Sequence, residues 1–386
     1  MSVRACSLSL PGVLLLLAVL TGCTAGPVRP LTEAPQRSNL ANDETRLWDM
    51  AEEGDEEIAK GGQIYRSEAL RSYLQSIMDR LYPEFRGRLQ VQVIDSPVVN
   101  AFALPNGSIY VHLGMLSQLE NEAQLATVLA HEGAHFVNRH SLQQRRSTKS
   151  SLAAANVVAL LGVPLVGELA AVSSIYGYSR DMEREADRIG WERLTAAGYA
   201  GREAEGTFRH LLEELKAMEI EEPVFFSSHP KLQERIDSFH ELAEGYRGNG
   251  EIGEARYLEA TAEARLDAIE ADLGSGRFAS VILVLENEER LAHYPPSALF
   301  YLGEAYRRRG GEGDRDQAVK AYGRCLEYRP GFAPPYRALG LMQLKQEEYA
   351  LARESFTRYL ELDPGAADRA YVENYLKRIS KELDEP

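Results

Sequence analysis

Cysteine is almost missing from this chain: 386 residues contain three, at positions 6, 23 and 325. Three such scattered thiols make no zinc site, so any bound metal must be held by histidine and carboxylate. Basic charge is also short. Lys and Arg number 43 against 58 Asp and Glu, a formal net charge of −15, which argues against a nucleic-acid partner, since phosphate backbones attract basic surfaces. Long apolar runs are few. Pro11 to Leu20 is too short for a bilayer core of about 30 Å, which takes roughly 20 helical residues. Residues 152–176 are broken by Gly162, Pro164, Gly167 and Glu168, and a carboxylate at bilayer depth costs about 2.5–3.5 kcal/mol. That segment reads as a broken helical hairpin, with a membrane-dipping or lid segment as the alternative. A hydrophobic content of 44% leaves enough side chains for a core, so disorder is not the default, and the length predicts two domains.

Arg4 followed by the apolar run predicts a secretory signal. The run ends in Leu20-Thr21-Gly22-Cys23, which resembles the lipobox of bacterial lipoproteins. That resemblance implies cleavage before Cys23, acylation of Cys23 and, with Thr24 next, the periplasmic side of the outer membrane of a Gram-negative bacterium. An ordinary signal peptide that contains a cysteine is the bland alternative. Several acyl chains would anchor stably. Cys6 would leave with the signal and Cys23 would carry lipid, so Cys325 alone remains and no internal disulfide forms.

Residues 1–22 are thus expected to be a lipoprotein signal peptide and 23–41, with Pro27, Pro30 and Pro35, a flexible tether. Leu70, Tyr73, Leu74, Ile77, Met78 and Leu81 recur at helical spacing until Pro83, which predicts an amphipathic helix. Leu89–Ile94, Val98–Leu104 and Ser108–Leu113 are short β-branched and aromatic runs split by Ser96-Pro97 and Pro105-Asn106-Gly107. They predict a small antiparallel sheet. The remainder reads as helix.

Near the C-terminus Ala318 and Ala352, Tyr322 and Phe356, Cys325 and Tyr359, and Pro330 and Pro364 are each 34 residues apart. Leu302-Gly303 and Leu339-Gly340 are offset by 37, with an insertion around Gly310 to Asp314. This is the tetratricopeptide pattern, and such arrays present concave protein-binding surfaces. Arg277-Phe278-Ala279 with Val281–Leu291 reads as a degenerate earlier copy, and residues 366–384 as a polar capping helix.

The chemistry-bearing segment is Thr127 to Phe136, which holds HExxH in an apolar helical frame. His131 and His135 are four residues apart, so both imidazoles lie on one helix face and can share a metal. Glu132 sits beside that face, placed to act on an attacking water. Catalytic zinc needs a third protein ligand. In Tyr178 to Asp187 the carboxylates Glu183 and Asp187 are also four apart. One can ligate while the other supports a ligand histidine; the bland reading is a solvated acidic helix face.

HExxH followed by Glu-x-x-x-Asp in an ExEAD-xx-G setting resembles the HtpX and CAAX-prenyl-protease type of zinc metallopeptidases, in its periplasmic, repeat-bearing BepA-like branch. The resemblance covers roughly residues 45–245. It implies one zinc ion per subunit held by His131, His135 and Glu183, with Glu132 as catalytic base and Asp187 as the supporting catalytic carboxylate. It also gives meaning to Asn100, Ala101 and Phe102 as an edge strand that adds a substrate peptide. His229, before Pro230, has two readings: a helix-capping surface histidine, or, by the branch pattern, a displaceable fourth ligand or oxyanion helper. Arg235 is a candidate charge partner. His112, His140, His210, His240 and His293 read as ordinary surface or supporting residues. Gly133 departs from the family, which carries a larger apolar residue there.

The expected architecture is α+β and mostly helical. A zincin-like metallopeptidase domain (42–247) with a small sheet precedes a tetratricopeptide repeat solenoid (250–386). The expected function is a zinc endopeptidase that degrades misfolded or stalled outer-membrane proteins and assists their assembly. The competing reading is a chaperone or adaptor whose repeats bind an outer-membrane assembly complex, with proteolysis secondary. A zinc hydrolase of non-peptide substrates is a third, disfavoured by the edge strand.

Overall fold

The computed structural model describes residues 28–149, 178–220 and 232–384. The signal segment, Cys23, residues 152–176 and His229 lie outside the described residues. Among the described residues no helix is long and apolar enough to cross a membrane.

Helix α1 (Asn42–Lys60) is followed by α2 (Glu68–Leu81). The Ser67 hydroxyl caps α2 by accepting from the Leu70 N–H at 3.3 Å, satisfying one of the open donors of the first turn. Tyr82 leaves the helical region at φ −133 because Pro83 disfavours a helical residue before it. Leu70, Leu74, Ile77, Met78 and Leu81 are buried, each contributing about 1.5–3 kcal/mol relative to exposure. The periodicity predicts this helix correctly.

The sheet contains β1 (Gln90–Ile94), β2 (Ala101–Ala103) and β3 (Ser108–His112). It is mixed, which corrects the antiparallel expectation. The order is β1-β3-β2, with β3 antiparallel to β2 and parallel to β1 in the register Gln90↔Ser108 to Ile94↔His112. The cause lies in the two turn signals. Pro105-Asn106-Gly107 closes a true hairpin: the Leu104 N–H donates to the Ser108 carbonyl at 2.8 Å, and Gly107 takes φ 97, a conformation glycine adopts freely. Ser96-Pro97 instead starts an excursion, pinned by the Gly114 N–H on the Ser96 carbonyl at 3.0 Å. The chain leaves the sheet there, and β3 returns between the two earlier strands. That leaves β2 at an edge.

Side-chain alternation gives each face of the sheet a partner. Val91, Val93, Ile109 and Val111 enter the main core, while Ile94, Phe102 and Tyr110 pack with Ala51 and Ile58 of α1. Helix α3 (Leu113–Gln118) leads into α4 (Glu122–Val137). Every residue of α4 is buried, as expected of a helix that is apolar on nearly all sides. Asn121 caps it by accepting from the Gln124 N–H at 3.0 Å. Glu122 in the first turn accepts from Tyr73 (2.8 Å), Tyr199 (2.9 Å) and Arg256 (2.8 Å). Burial raises its pKa, yet Arg256 and the two tyrosines together hold the carboxyl below its ordinary value. A charge fixed at the positive end of the helix is stabilising. Around α4 stand α5 (His140–Lys149), α6 (Arg180–Ala196), α7 (Glu203–Ala217) and α8 (Leu232–Glu244).

Helix α9 (Glu254–Gly274) belongs to two cores. Its Tyr257, Ala264 and Ala268 pack with the helices around α4, whereas Ile269 and Leu273 pack with the C-terminal helices. The Tyr257 hydroxyl donates to the Leu116 carbonyl at 2.6 Å. After α10 (Phe278–Leu285) and the single turn α11 (Glu288–Leu291), two helical hairpins stack: α12 (Ala298–Arg309) with α13 (Asp314–Tyr328), and α14 (Ala333–Lys345) with α15 (Tyr349–Leu362). The same contact recurs in both. A Cβ on Gly303 would lie 2.4 Å from the Tyr322 ring, and one on Gly340 would lie 2.7 Å from Phe356. The repeated small and aromatic positions in the sequence are the two sides of this interlock. Helix α16 (Arg369–Asp384) closes the stack with Val372 and Ile379.

A buried polar seam joins the halves. Arg277 donates to Glu214 at 2.6 Å and to Asp272 at 2.6 Å, Gln118 donates to Glu214 at 3.0 Å, and Ser280 donates to Asp272 at 3.0 Å.

Candidate metal centre

Helix α4 presents His131 and His135 toward α6, where Glu183 occupies the facing turn. The imidazole Nε2 atoms lie 3.0 Å apart, and each is 3.5 Å from a Glu183 carboxylate oxygen. All three side chains are buried, and their donor atoms fall within 4.8 Å of one another. Among the described residues this is the single cluster of three such donors. Two neutral imidazoles and one carboxylate form a donor set suited to a divalent zinc-like cation. With three near-converging donor atoms on buried side chains, the residues fit that group.

Helix α6 reaches this position through a cap and a close approach. The Ser179 hydroxyl accepts from the Met182 N–H at 3.3 Å, so Glu183 stands one turn inside. Gly190, last residue of the ExEAD-xx-G segment, lets the two backbones meet: a Cβ there would lie 3.1 Å from the His131 nitrogen.

Behind the ligand atoms lies a tight electrostatic layer. His131 Nδ1 is 2.9 Å from Asp187 Oδ1. Arg235, carried by α8, donates to both Asp187 oxygens, with Nη2 at 2.6 Å and Nε at 3.1 and 3.2 Å. Arg235 Nη2 also comes within 2.9 Å of His131 Nδ1. Both nitrogens carry hydrogen once Nε2 is committed to a cation, so Asp187 is the acceptor for both. The Arg235 guanidinium lies over the Phe208 ring at 3.9 Å, and Phe208 stacks on Phe239 at 5.1 Å. This packing fixes the arginine from below.

Glu132 opens into a small cleft with His131, lined by Asn100, Ala101, Met115, Val128 and Leu211. The cleft joins the edge-strand residues to the cluster, but not all three of them. The Phe102 ring points to the opposite sheet face, where it stacks on Tyr110 at 5.2 Å. Gly133 faces away from the cleft. A Cβ there would sit 2.3 Å from the Tyr82 ring, whose hydroxyl donates to the Ala130 carbonyl at 2.5 Å. A bulky tyrosine thus fills the space that a larger residue on α4 would occupy.

Of the two readings open for His140, ordinary surface or supporting residue, the geometry gives the supporting one, and Tyr178 joins it as a neighbour that the sequence did not single out. His140 Nδ1 lies 2.8 Å from His135 Nδ1, and Tyr178 stacks flat on His135 at 4.0 Å. Burial lowers the His140 pKa, and Glu185 opposes that shift. A five-residue offset falls off a helical face, so only the chain reversal at Arg139, at φ 56, makes His140 a neighbour.

Residues 66–243 match the family profile described as peptidase family M48, and residues 297–331 match a tetratricopeptide repeat. Residues 66–243 are a peptidase family M48 domain. The match agrees with the resemblance carried by HExxH and ExEAD. Mitochondrial metalloendopeptidase OMA1 of Arabidopsis thaliana is 37% identical over 123 residues, 32% of this chain and 25% of the relative. A beta-barrel assembly-enhancing protease of Yersinia pestis is 26% identical over 208 residues, 50% of this chain and 42% of the relative. The protein of that name in Escherichia coli is 28% identical over 157 residues, 37% of this chain and 32% of the relative. The chain therefore spans less than half the length of these curated relatives. The M48 domain is that of a metallopeptidase family, which implies a divalent metal at the cluster, and helical repeats follow it.

Proposed function

We propose that the chain is a zinc-dependent endopeptidase of the periplasm. The observation that carries this reading is the buried convergence of His131, His135 and Glu183 next to Glu132. A divalent cation held by those three residues would supply Lewis acidity toward the scissile carbonyl and the attacking water. Glu132 accepts the proton from the attacking water and returns it to the departing amine as the C–N bond breaks. Asp187, neutralised by Arg235, keeps His131 oriented with its Nδ1–H away from the cluster. Asn100 and Ala101 border the cleft on the edge strand, where a peptide main chain can pair without regard to sequence. His229 is retained as a candidate fourth ligand or oxyanion helper.

The relatives named beta-barrel assembly-enhancing protease support a role in outer-membrane protein assembly. We assign misfolded or stalled outer-membrane proteins as substrates, an assembly complex as the partner of the repeats, and acylated Cys23 as the outer-membrane anchor. A binding role alongside proteolysis is favoured by the stacked hairpins α12 to α15.

The test is Glu132→Gln in the full chain, assayed on an unfolded protein substrate with bound metal counted in parallel. Cleavage is expected to disappear while the metal stays. Full cleavage by this variant overturns the mechanism.

A further inference from the structure

The two ligand histidines are supported differently. His131 rests on a carboxylate, Asp187, at 2.9 Å. His135 Nδ1 faces another imidazole, that of His140, at 2.8 Å. Two imidazole nitrogens at that distance share one hydrogen, and the rest of the geometry decides where it sits.

His140 Nε2 lies 3.3 Å from Glu185 Oε2. An ionised carboxylate only accepts, so His140 must carry its hydrogen on Nε2. Its Nδ1 is then bare and accepts the Nδ1–H of His135. His135 in that tautomer carries no hydrogen on Nε2, the atom that faces His131 and Glu183. The reverse order would place hydrogen on His135 Nε2 and remove it from the donor set.

Several features hold the relay in place. The His140 side chain is fully buried, so no solvent competes for its nitrogens. Tyr178 stacks on His135 within 14° of parallel, which fixes the ring plane in which Nδ1 points. Arg139 adopts φ 56, a left-handed conformation that is unfavourable for a non-glycine residue. It is secured by Nε donating to Glu44 Oε1 at 2.7 Å. That reversal turns α5 back so that its first residue meets His135.

We propose that His140 is a positioning residue of the metal centre: it accepts the Nδ1–H of His135, donates its Nε2–H to Glu185, and so fixes the tautomer in which His135 offers Nε2 to the cation. The inference rests on the metal-site reading above. It also gives Glu185, the middle acid of ExEAD, a role distinct from Glu183 and Asp187.

The experiment compares the full-length protein with His140→Leu, His140→Gln and Glu185→Gln. Zinc affinity is measured by chelator competition, the histidine tautomers of the metal-free protein by 15N-detected NMR, and the fold by circular dichroism. His140→Leu lacks the acceptor and is expected to lose about 10- to 100-fold in affinity. His140→Gln, whose amide can accept from one side and donate to the other, is expected to stay within several-fold of the parent. Equal losses in the leucine and glutamine variants, or none in either, overturn the proposal. If His140→Leu does not fold, the parent tautomer and Glu185→Gln decide. Hydrogen on His140 Nε2 and a several-fold loss in Glu185→Gln support the relay; hydrogen on His140 Nδ1 overturns it. A parent that binds no zinc sinks the metal-site reading, and the tautomer still decides the His140 assignment.

Discussion

Arg235 grips Asp187 with two nitrogens, Nη2 at 2.6 Å and Nε at 3.1 Å, while Asp187 Oδ1 sits 2.9 Å from His131. A basic residue from α8 therefore neutralises the carboxylate that orients a candidate ligand on α4. Both charges are buried, at 6% and 1% exposure, so neither is screened by water. Replacing one partner of such a pair costs about 3–5 kcal/mol, because the other charge keeps its desolvation penalty.

Arg235→Met should lower the stability of the metal-free protein by about that amount. Urea denaturation followed by circular dichroism reads it directly. Asp187→Asn should weaken zinc binding by about 10- to 100-fold, measured against a chelator. An unchanged zinc affinity would remove Asp187 from the site.

Gly133→Ala should destabilise the fold, although alanine is favoured over glycine in a helix interior by about 1 kcal/mol. The added methyl would stand 2.3 Å from the Tyr82 ring, and overpacking of this kind costs typically about 1–3 kcal/mol. Thermal unfolding of Gly133→Ala and of Gly133→Ala with Tyr82→Leu checks the cause. The double substitution should recover part of the loss that the single one causes. A more stable Gly133→Ala protein would contradict the packing account.

The seam between the halves should carry a pH signature. Burial raises the Asp272 pKa from near 3.8 to about 7, against the opposing pull of Arg277. Between those values the folded chain holds a proton that the unfolded chain has lost. Stability from this group is therefore fully present below about pH 3.8 and is lost as pH rises through about 7. Asp272→Asn does not titrate, so in urea titrations its stability relative to the parent should rise between about pH 4.5 and about pH 8. A difference independent of pH would show that Asp272 titrates normally.

What the sequence revealed follows from what is periodic. α2 could be read because its apolar side chains recur on one face, and the repeats because Gly303 with Tyr322 and Gly340 with Phe356 are the same interlock written twice. HExxH was legible for the same reason, since four residues are one helical turn. The strand order was not: Ser96-Pro97 and Pro105-Asn106-Gly107 are both turn signals, and only the second closes a hairpin. Arg235 and His140 reach the cluster through chain reversals and helix packing that leave no spacing rule behind. The Phe102 orientation followed strand alternation, with Ala101 facing the cleft and Phe102 the other side.

Helix α9 has a consequence for how such chains can be recombined. Its first half completes the core around α4, and its second half begins the core of the C-terminal stack. A join made in the loop before Glu254 would strip the M48 domain of Tyr257, a fully buried side chain, and leave a hole that new repeats would not fill. A different repeat array can be grafted only beyond Ala268, inside the helix itself, with its rotational phase kept. The rod is a shared beam, and the angle at which the repeats meet the peptidase is set by its length and twist.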